Sequence, residues 1–135
     1  MPVRTHSRSG SPFEQMAAYS RAVRVGAFIA TSATAATGDD GRALAPGDTY
    51  AQTAESLQRA LAAVSELGGE PADVIRSRLL LTRDADWREA IRAHAETFAG
   101  IDPANTTHYV EGFIPDGVLV EVELDAVVAD PNERK

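Results

Sequence analysis

The amino-acid sequence predicts an α+β fold in which one mixed sheet carries two helices on the same face. Two kinds of pattern lead to this prediction. Five segments are rich in the residues that form strands, several with the period of two, and two segments repeat apolar residues at the helical period. The chain has 135 residues, close to the commonest domain size, so we expect residues 1–135 to form a single domain.

The chain is expected to begin with a polar tail that leads into a β-hairpin. Residues 1–11 are polar and basic and residues 130–135 are charged, so we expect both ends to be mobile. Residues 19–25 and 28–34 are two predicted strands. The tight connection Gly26-Ala27 between them favours a hairpin.

Two helices are predicted from their caps and their apolar stripes. The first is expected to begin after Asp48, because a carboxylate there accepts hydrogen bonds from the unpaired amides of the first turn. Gly68-Gly69 is expected to end this helix, since glycine readily adopts the left-handed conformation of a helix stop. Its predicted stripe is Tyr50, Ala54, Leu57, Leu61 and Val64. The second stripe, which Gly100 ends, is Trp87, Ile91, His94 (or Ala95) and Phe98.

Three further strands are predicted over residues 74–82, 106–114 and 118–128. In the first of these, one face is expected to hold Ile75, Ser77, Leu79 and Leu81. In the last, one face holds Val118, Val120, Val122, Leu124, Ala126 and Val128, and the other holds Leu119, Glu121, Glu123, Asp125 and Val127.

The predicted order of elements is therefore β-β-α-β-α-β-β. Each β-α-β unit favours parallel neighbouring strands and a right-handed crossover, which places both helices on one face of the sheet. The opposite face is left half apolar and half charged. A sheet face of that kind is seldom left in water, so we expect it to mediate self-association.

The composition excludes several classes of function. Because the chain has no cysteine, it has no disulfide, zinc-thiolate site or cysteine nucleophile. The net charge of -7 disfavours nucleic-acid binding, which relies on basic patches. No signal peptide or run of roughly 20 apolar residues is visible, so we expect a cytoplasmic protein with no membrane partner.

The residues alone leave the candidate chemistry open. The row formed by Glu121, Glu123 and Asp125 suits either a general base in a cleft or a charged face paired with Arg76 and Arg78. His94 and His108 lack a second ligand at metal-like spacing, so we expect structural histidines and no metal or other cofactor. Ser32 lies in no nucleophile elbow, and Tyr19 and Tyr109 suit either packing or a pocket.

Several segments, taken in order, are similar to the RidA family, which is also called YjgF. They are AYSRAVRVG at 18–26, IATS at 29–32, QTAESL at 52–57, DVIR at 73–76 and VLVEVE at 118–123. This resemblance implies a chorismate-mutase-like fold and a homotrimer with small-molecule pockets between subunits. It also implies hydrolysis of reactive imines or enamines to a keto acid and ammonia, without a metal or an organic cofactor.

The resemblance also assigns site residues. Glu121 matches the family's catalytic acidic position, and Tyr19 and Ser32 match pocket-lining positions. Deaminating members anchor the substrate carboxylate with an arginine on the strand after the second helix, where this chain has PANTTH at 103–108. Without that arginine, the expected substrate-binding residues are Asn105, Thr106, Thr107 and His108.

Two functions remain as hypotheses. The first is a RidA-like hydrolase that acts on an imine, an enamine or a related reactive metabolite. The second is a trimeric metabolite-binding protein that has lost deaminase activity. A nuclease, the activity attributed to some relatives, is disfavoured by the acidic charge and the lack of a basic patch.

Overall fold

The computed structural model describes residues 3–130, which form one six-stranded sheet with helices packed against it. The strands are β1 (Arg4–Ser7), β2 (Ala22–Val25), β3 (Phe28–Thr31), β4 (Val74–Leu81), β5 (Ala104–Tyr109) and β6 (Val120–Val127). The helices are α1 (Pro12–Ala17), α2 (Thr49–Glu66) and α3 (Trp87–Phe98), and a short 3-10 turn covers Pro71–Asp73. No helix within the described range is long and apolar enough to cross a membrane.

The sheet has the strand order β1-β2-β3-β6-β4-β5, and every pair is antiparallel except β4 with β5. The unit β4-α3-β5 therefore has the expected parallel neighbours. The unit β3-α2-β4 does not, because β6 lies between its two strands and runs antiparallel to both. The predicted α+β class with a mixed sheet is confirmed, and one of the two expected parallel pairings is wrong.

The helix-facing side of the sheet is the core of the molecule. β6 contributes four fully buried residues at alternate positions, as its pattern predicts, and they meet buried residues of β4, α2 and α3. The central members of this cluster are Leu57, Val64, Leu79, Leu81, Phe98, Val120, Val122, Leu124 and Ala126. Burying that many aliphatic side chains is the main source of the fold's stability.

Residues 4–7, which were expected to belong to a mobile tail, form a strand instead. Arg4–Ser7 is strand β1, which pairs with β2 along its whole length. Ser11 then caps α1 by accepting a hydrogen bond from the Phe13 amide at 3.2 Å. Strand β1 is held by backbone hydrogen bonds at a sheet edge and buries little side-chain surface, so apolar patterning does not reveal it. At the other end, residues 131–135 lie outside the described residues.

The pattern on β4 breaks at a β-bulge. The pairing with β6 shifts register between Val74 and Arg76, so that Val74 is buried and Ile75 is 50% exposed. The expected shared face of Ile75 with Ser77, Leu79 and Leu81 is therefore wrong at its first member, since a bulge adds one residue to one strand only. Strand β5 also differs, because it starts earlier than the predicted 106–114 and leaves the sheet after Tyr109.

Helix α2 begins where its cap predicts, with Asp48 accepting from the Ala51 amide at 2.9 Å. Its buried stripe is rotated from the predicted one and includes Gln52, Thr53 and Ser56. Gln52 satisfies its amide by donating to the Gly117 carbonyl at 3.1 Å and by accepting from the Leu119 amide. Buried polar groups that are hydrogen-bonded in this way are tolerated in a core, but an apolar pattern cannot find them.

Helix α3 is likewise rotated from the prediction. Trp87 is 44% exposed and Ile91 is 38% exposed, whereas Ala90, Ala93 and Phe98 are buried. The small alanine side chains let the helix approach the sheet closely, and Trp87 and Ile91 lie outside the contact. The predicted stripe is therefore correct for Phe98 and wrong for Trp87 and Ile91.

Candidate functional site

The face of the sheet that turns away from α2 and α3, called here the open face, carries the acidic row of β6. Arg78 on β4 forms ion pairs with Glu123 at 3.5 Å and with Asp125 at 3.3 Å. Arg76 instead donates to the Thr106 hydroxyl on β5 at 3.1 Å. Glu123 and Asp125 are therefore paired with an arginine on a charged sheet face, which is the structural alternative for this row of acids.

Glu121 differs from the other two acids. Within residues 3–130 the side-chain carboxylate of Glu121 makes no ion pair or hydrogen bond. In the sheet, Leu80 of β4 lies between Glu121 and His108. Burial raises the pKa of Glu121, the nearby Arg21 charge opposes that rise, and the Glu123 carboxylate adds to it. A carboxylate whose pKa is raised holds a proton more readily than an exposed one, which suits a group that accepts a proton and later returns it.

Arg21 is held in place beside this carboxylate. Its Nη1 donates to the Ala33 carbonyl at 3.2 Å, and its guanidinium lies 5.4 Å from the Tyr19 ring centroid. Its Nε is 3.8 Å from Glu14, a buried carboxylate that Ser9 binds through both its amide and its hydroxyl. Arg21 was not predicted as a site residue, although its place inside the AYSRAVRVG segment is a signal that could have found it.

Tyr19 and Ser32 both line a cleft of about 470 Å³ within one subunit, and their role in binding a substrate stays a prediction. Ser32 donates its hydroxyl hydrogen to the Ser20 carbonyl at 2.6 Å, which fixes its side chain against the neighbouring segment. The cleft is also lined by Arg4 and His6 of β1, by Arg8 just after β1, and by Val23 of β2 and Ala30 of β3. The β1 residues were missed because that segment was expected to be mobile.

The four residues expected to replace the absent arginine do not form one group. Thr106 and His108 are in register with Arg78 and Leu80 and share the open face. Asn105 and Thr107 point to the opposite side, where Thr107 donates to the Asn105 side-chain oxygen at 2.7 Å. Because strand residues alternate between faces, no single ligand on one side of the sheet can contact all four within one subunit.

Asn105 is part of a hydrogen-bonded chain that joins β5, β4 and α3. Its amide donates to Ser77 Oγ at 3.0 Å, and Ser77 Oγ lies 2.7 Å from His94 Nε2. Ser77 is fully buried, and burial lowers the pKa of His94. His94 is thus a hydrogen-bonded structural histidine, and no cluster of potential metal ligands occurs in the described part of the chain.

The comparison with protein families is decisive at this point. The model of the family Endoribonuclease L-PSP matches residues 10–128. The chain belongs to this family. Among curated proteins, the uncharacterized protein SCO2049 of Streptomyces coelicolor is 37% identical over 119 residues, which are 88% of each chain.

Solved structures agree with this family and with the RidA (YjgF) resemblance, which is confirmed. Rv2704 from Mycobacterium tuberculosis, a member of the YjgF/YER057c/UK114 family, is 39% identical, with a TM-score of 0.83 over 93% of this chain and 100% of that chain. The YjgF gene product of Escherichia coli is 23% identical, with a TM-score of 0.73 over 90% and 92% of the two chains, and it shares the fold.

This YjgF-family chain has no arginine anywhere on β5, and the residues there are already engaged. The Asn105 amide is turned toward Ser77, and Thr106 receives a hydrogen bond from Arg76. An asparagine or a threonine cannot form the paired, charge-assisted hydrogen bonds with which a guanidinium holds a carboxylate. A guanidinium that holds an anion on this chain would therefore have to come from another element.

Proposed function

We propose that this chain is a hydrolase of small imines or enamines that works as a homotrimer, with clefts between neighbouring subunits. The observation that carries the proposal is the environment of Glu121. It is partly buried, its pKa is raised by that burial, and it has no ion pair within residues 3–130, whereas Glu123 and Asp125 share Arg78. A carboxylate of this kind suits general acid–base catalysis.

Imine hydrolysis requires a proton to be removed and later returned. Glu121 takes a proton from water while the water oxygen bonds to the carbon of the protonated imine, which gives a neutral carbinolamine. Protonated Glu121 then returns this proton to the amine nitrogen. The C–N bond breaks, ammonia leaves, and the hydroxyl releases its proton as the carbonyl forms. An enamine joins this sequence once its β-carbon is protonated.

Arg21 and Tyr19 support this role of Glu121. The fixed charge of Arg21 lowers the pKa of Glu121 and so favours the ionised carboxylate, which is the form that accepts a proton. Tyr19 packs against the same guanidinium and lines the cleft with Ser32. Arg21 thus lies between Glu121, whose pKa its charge lowers, and Tyr19, whereas Glu121 itself does not line the cleft.

The open face supports the assembly into a trimer. Its edge near β2, β3 and β6 exposes three apolar side chains, those of Val25, Phe28 and Val127, and Phe28 is 46% exposed. An apolar group next to a charged row on a sheet face is typical of a surface that another subunit covers. Sedimentation equilibrium is expected to give three times the mass of the chain, and a monomer would contradict this part of the proposal.

A second function is favoured by one observation. The residues of β5 are engaged within the subunit and provide no guanidinium, which suits a protein that binds a metabolite without turning it over. Ammonia release from freshly generated 2-iminobutyrate separates the two functions. Release above the rate in buffer supports the hydrolase. No release, together with a raised melting temperature in the presence of a metabolite, supports the binding protein. If the protein neither releases ammonia nor melts at a higher temperature with a metabolite, both functions are overturned.

A further inference from the structure

Strand β1 places a row of basic side chains on one face of the sheet. His6 is in register with Val23, which is in turn in register with Ala30, so these side chains share the open face. Arg4 precedes His6 by two residues, and Arg8 follows it by two. Alternate residues of a strand point the same way, so Arg4 and His6 of β1 share this face. Arg8 follows the end of β1, and its side chain lines the same cleft.

The other walls of this cleft are polar and uncharged. Tyr19, Ser20 and Ser32 line it together with the small side chains of β2 and β3. Its volume of about 470 Å³ suits a small organic molecule, since ligand pockets commonly measure about 300–1,000 Å³. The cleft therefore combines a cationic wall with neutral hydrogen-bonding groups.

The two arginines of this wall are not neutralised. Arg59, Arg78 and Arg92 each form ion pairs, whereas Arg4 and Arg8 form none among residues 3–130. The nearby carboxylate of Glu14 is bound by Ser9 and faces Arg21. Other arginines without an ion pair are found elsewhere on the chain, but Arg4 and Arg8 line one cleft together, in a chain whose net charge is -7.

We propose that Arg4 and Arg8, assisted by His6, bind the oxyanion of a small organic ligand in this cleft and so replace the arginine that β5 lacks. The ligand is an acid that carries a carboxylate or a phosphate group. A guanidinium binds either group through paired, charge-assisted hydrogen bonds. This proposal rests on the proposed function in one respect, which is that the cleft lined by Tyr19 and Ser32 holds the ligand. Its test measures binding and does not depend on turnover.

The test is titration calorimetry of the full-length protein with two probes, 2-oxobutyrate and inorganic phosphate. We expect the native protein to bind at least one of them and the double variant Arg4→Gln/Arg8→Gln to bind it at least about 10-fold more weakly. The control Arg42→Gln/Arg88→Gln removes the same charge from exposed sites elsewhere and should bind like the native protein. The better of the two probes identifies the oxyanion.

A conservative variant separates a binding role from a structural one. Arg4→Lys/Arg8→Lys keeps both charges, so it should recover part of the affinity, and the remaining binding should weaken as salt is added. Binding by the Gln double variant equal to that of the native protein would overturn the proposal, as would the absence of binding of both probes to the native protein.

The failure of this proposal can be told apart from the failure of the proposed function. If the native protein binds 2-oxobutyrate through the two arginines but releases no ammonia, the oxyanion site stands and the hydrolase does not. If the Gln double variant releases ammonia with an unchanged kcat/KM, the hydrolase stands and the oxyanion site does not.

Discussion

Replacing Ser77 with alanine tests whether the chain of hydrogen bonds from β5 to α3 stabilises the fold. The hydroxyl is fully buried and is bonded to His94 at 2.7 Å and to Asn105 at 3.0 Å. Each hydrogen bond is worth about 1 kcal/mol, and no space for water opens when a hydroxyl becomes a hydrogen. We therefore expect Ser77→Ala to lower the free energy of unfolding by about 2 kcal/mol.

The assay is urea unfolding at a fixed protein concentration, followed by the fluorescence of Trp87, the one tryptophan of the chain. A loss of about 2 kcal/mol should also lower the Tm by about 8 °C for a chain of this size. The matched control is Thr107→Ala, which removes one hydrogen bond at a partly exposed site and should cost about 0.5 kcal/mol. If Ser77→Ala costs no more than Thr107→Ala, the reasoning about this chain of bonds is refuted.

Two further predictions concern stability. Burial holds the pKa of His94 in the folded protein below its ordinary value of 6.5. The neutral imidazole therefore contributes fully to the free energy of unfolding above pH 6.5, and this contribution is lost as the pH falls through the pKa of the folded state. Unfolding curves between pH 8 and about pH 5 should show this loss in the native protein but not in His94→Gln. A Cβ at Gly69 would lie 2.7 Å from Val64 Cγ1, so Gly69→Ala should cost about 1–3 kcal/mol, measured by thermal melting. Gly112→Ala meets nothing within 4 Å and should cost little, and equal melting of the two variants would contradict this prediction.

The sequence predicts those parts of the fold in which one local pattern dominates. Strand β6 alternates strictly between aliphatic and acidic residues, and a shift of one residue would bury three carboxylates, so its register follows from the pattern. The start of α2 follows from Asp48 because an N-cap carboxylate satisfies amides that the helix itself cannot. Both features rest on interactions between residues close in sequence.

The features that were not predicted depend on contacts distant in sequence. Strand β1 carries no apolar pattern and is defined only by its pairing with β2. The bulge at Ile75 arises from a register shift against β6, and the burial of Gln52 depends on carbonyl and amide groups some 65 residues further along the chain. No local pattern contains this information.

The candidate site divides in the same way. The pattern of β6 places Glu121 on the open face, whereas its role and those of Tyr19 and Ser32 are implied only by the resemblance and stay predictions. The residues of β5 could not be assigned, because Asn105 is engaged by Ser77 and Thr106 by Arg76 through contacts that only the folded chain creates. The basic wall of the cleft was missed together with strand β1.

The most direct measurement of the central claim is ammonia release by Glu121→Gln and Glu123→Gln, assayed beside the native protein with freshly generated 2-iminobutyrate. Both variants remove one carboxylate from the same face of β6, but Glu123 is paired with Arg78 and Glu121 is not. General acid–base catalysis predicts a loss of at least about 100-fold for Glu121→Gln and a rate within about 3-fold of native for Glu123→Gln. Native turnover by Glu121→Gln, with the trimer intact, would contradict the role of Glu121.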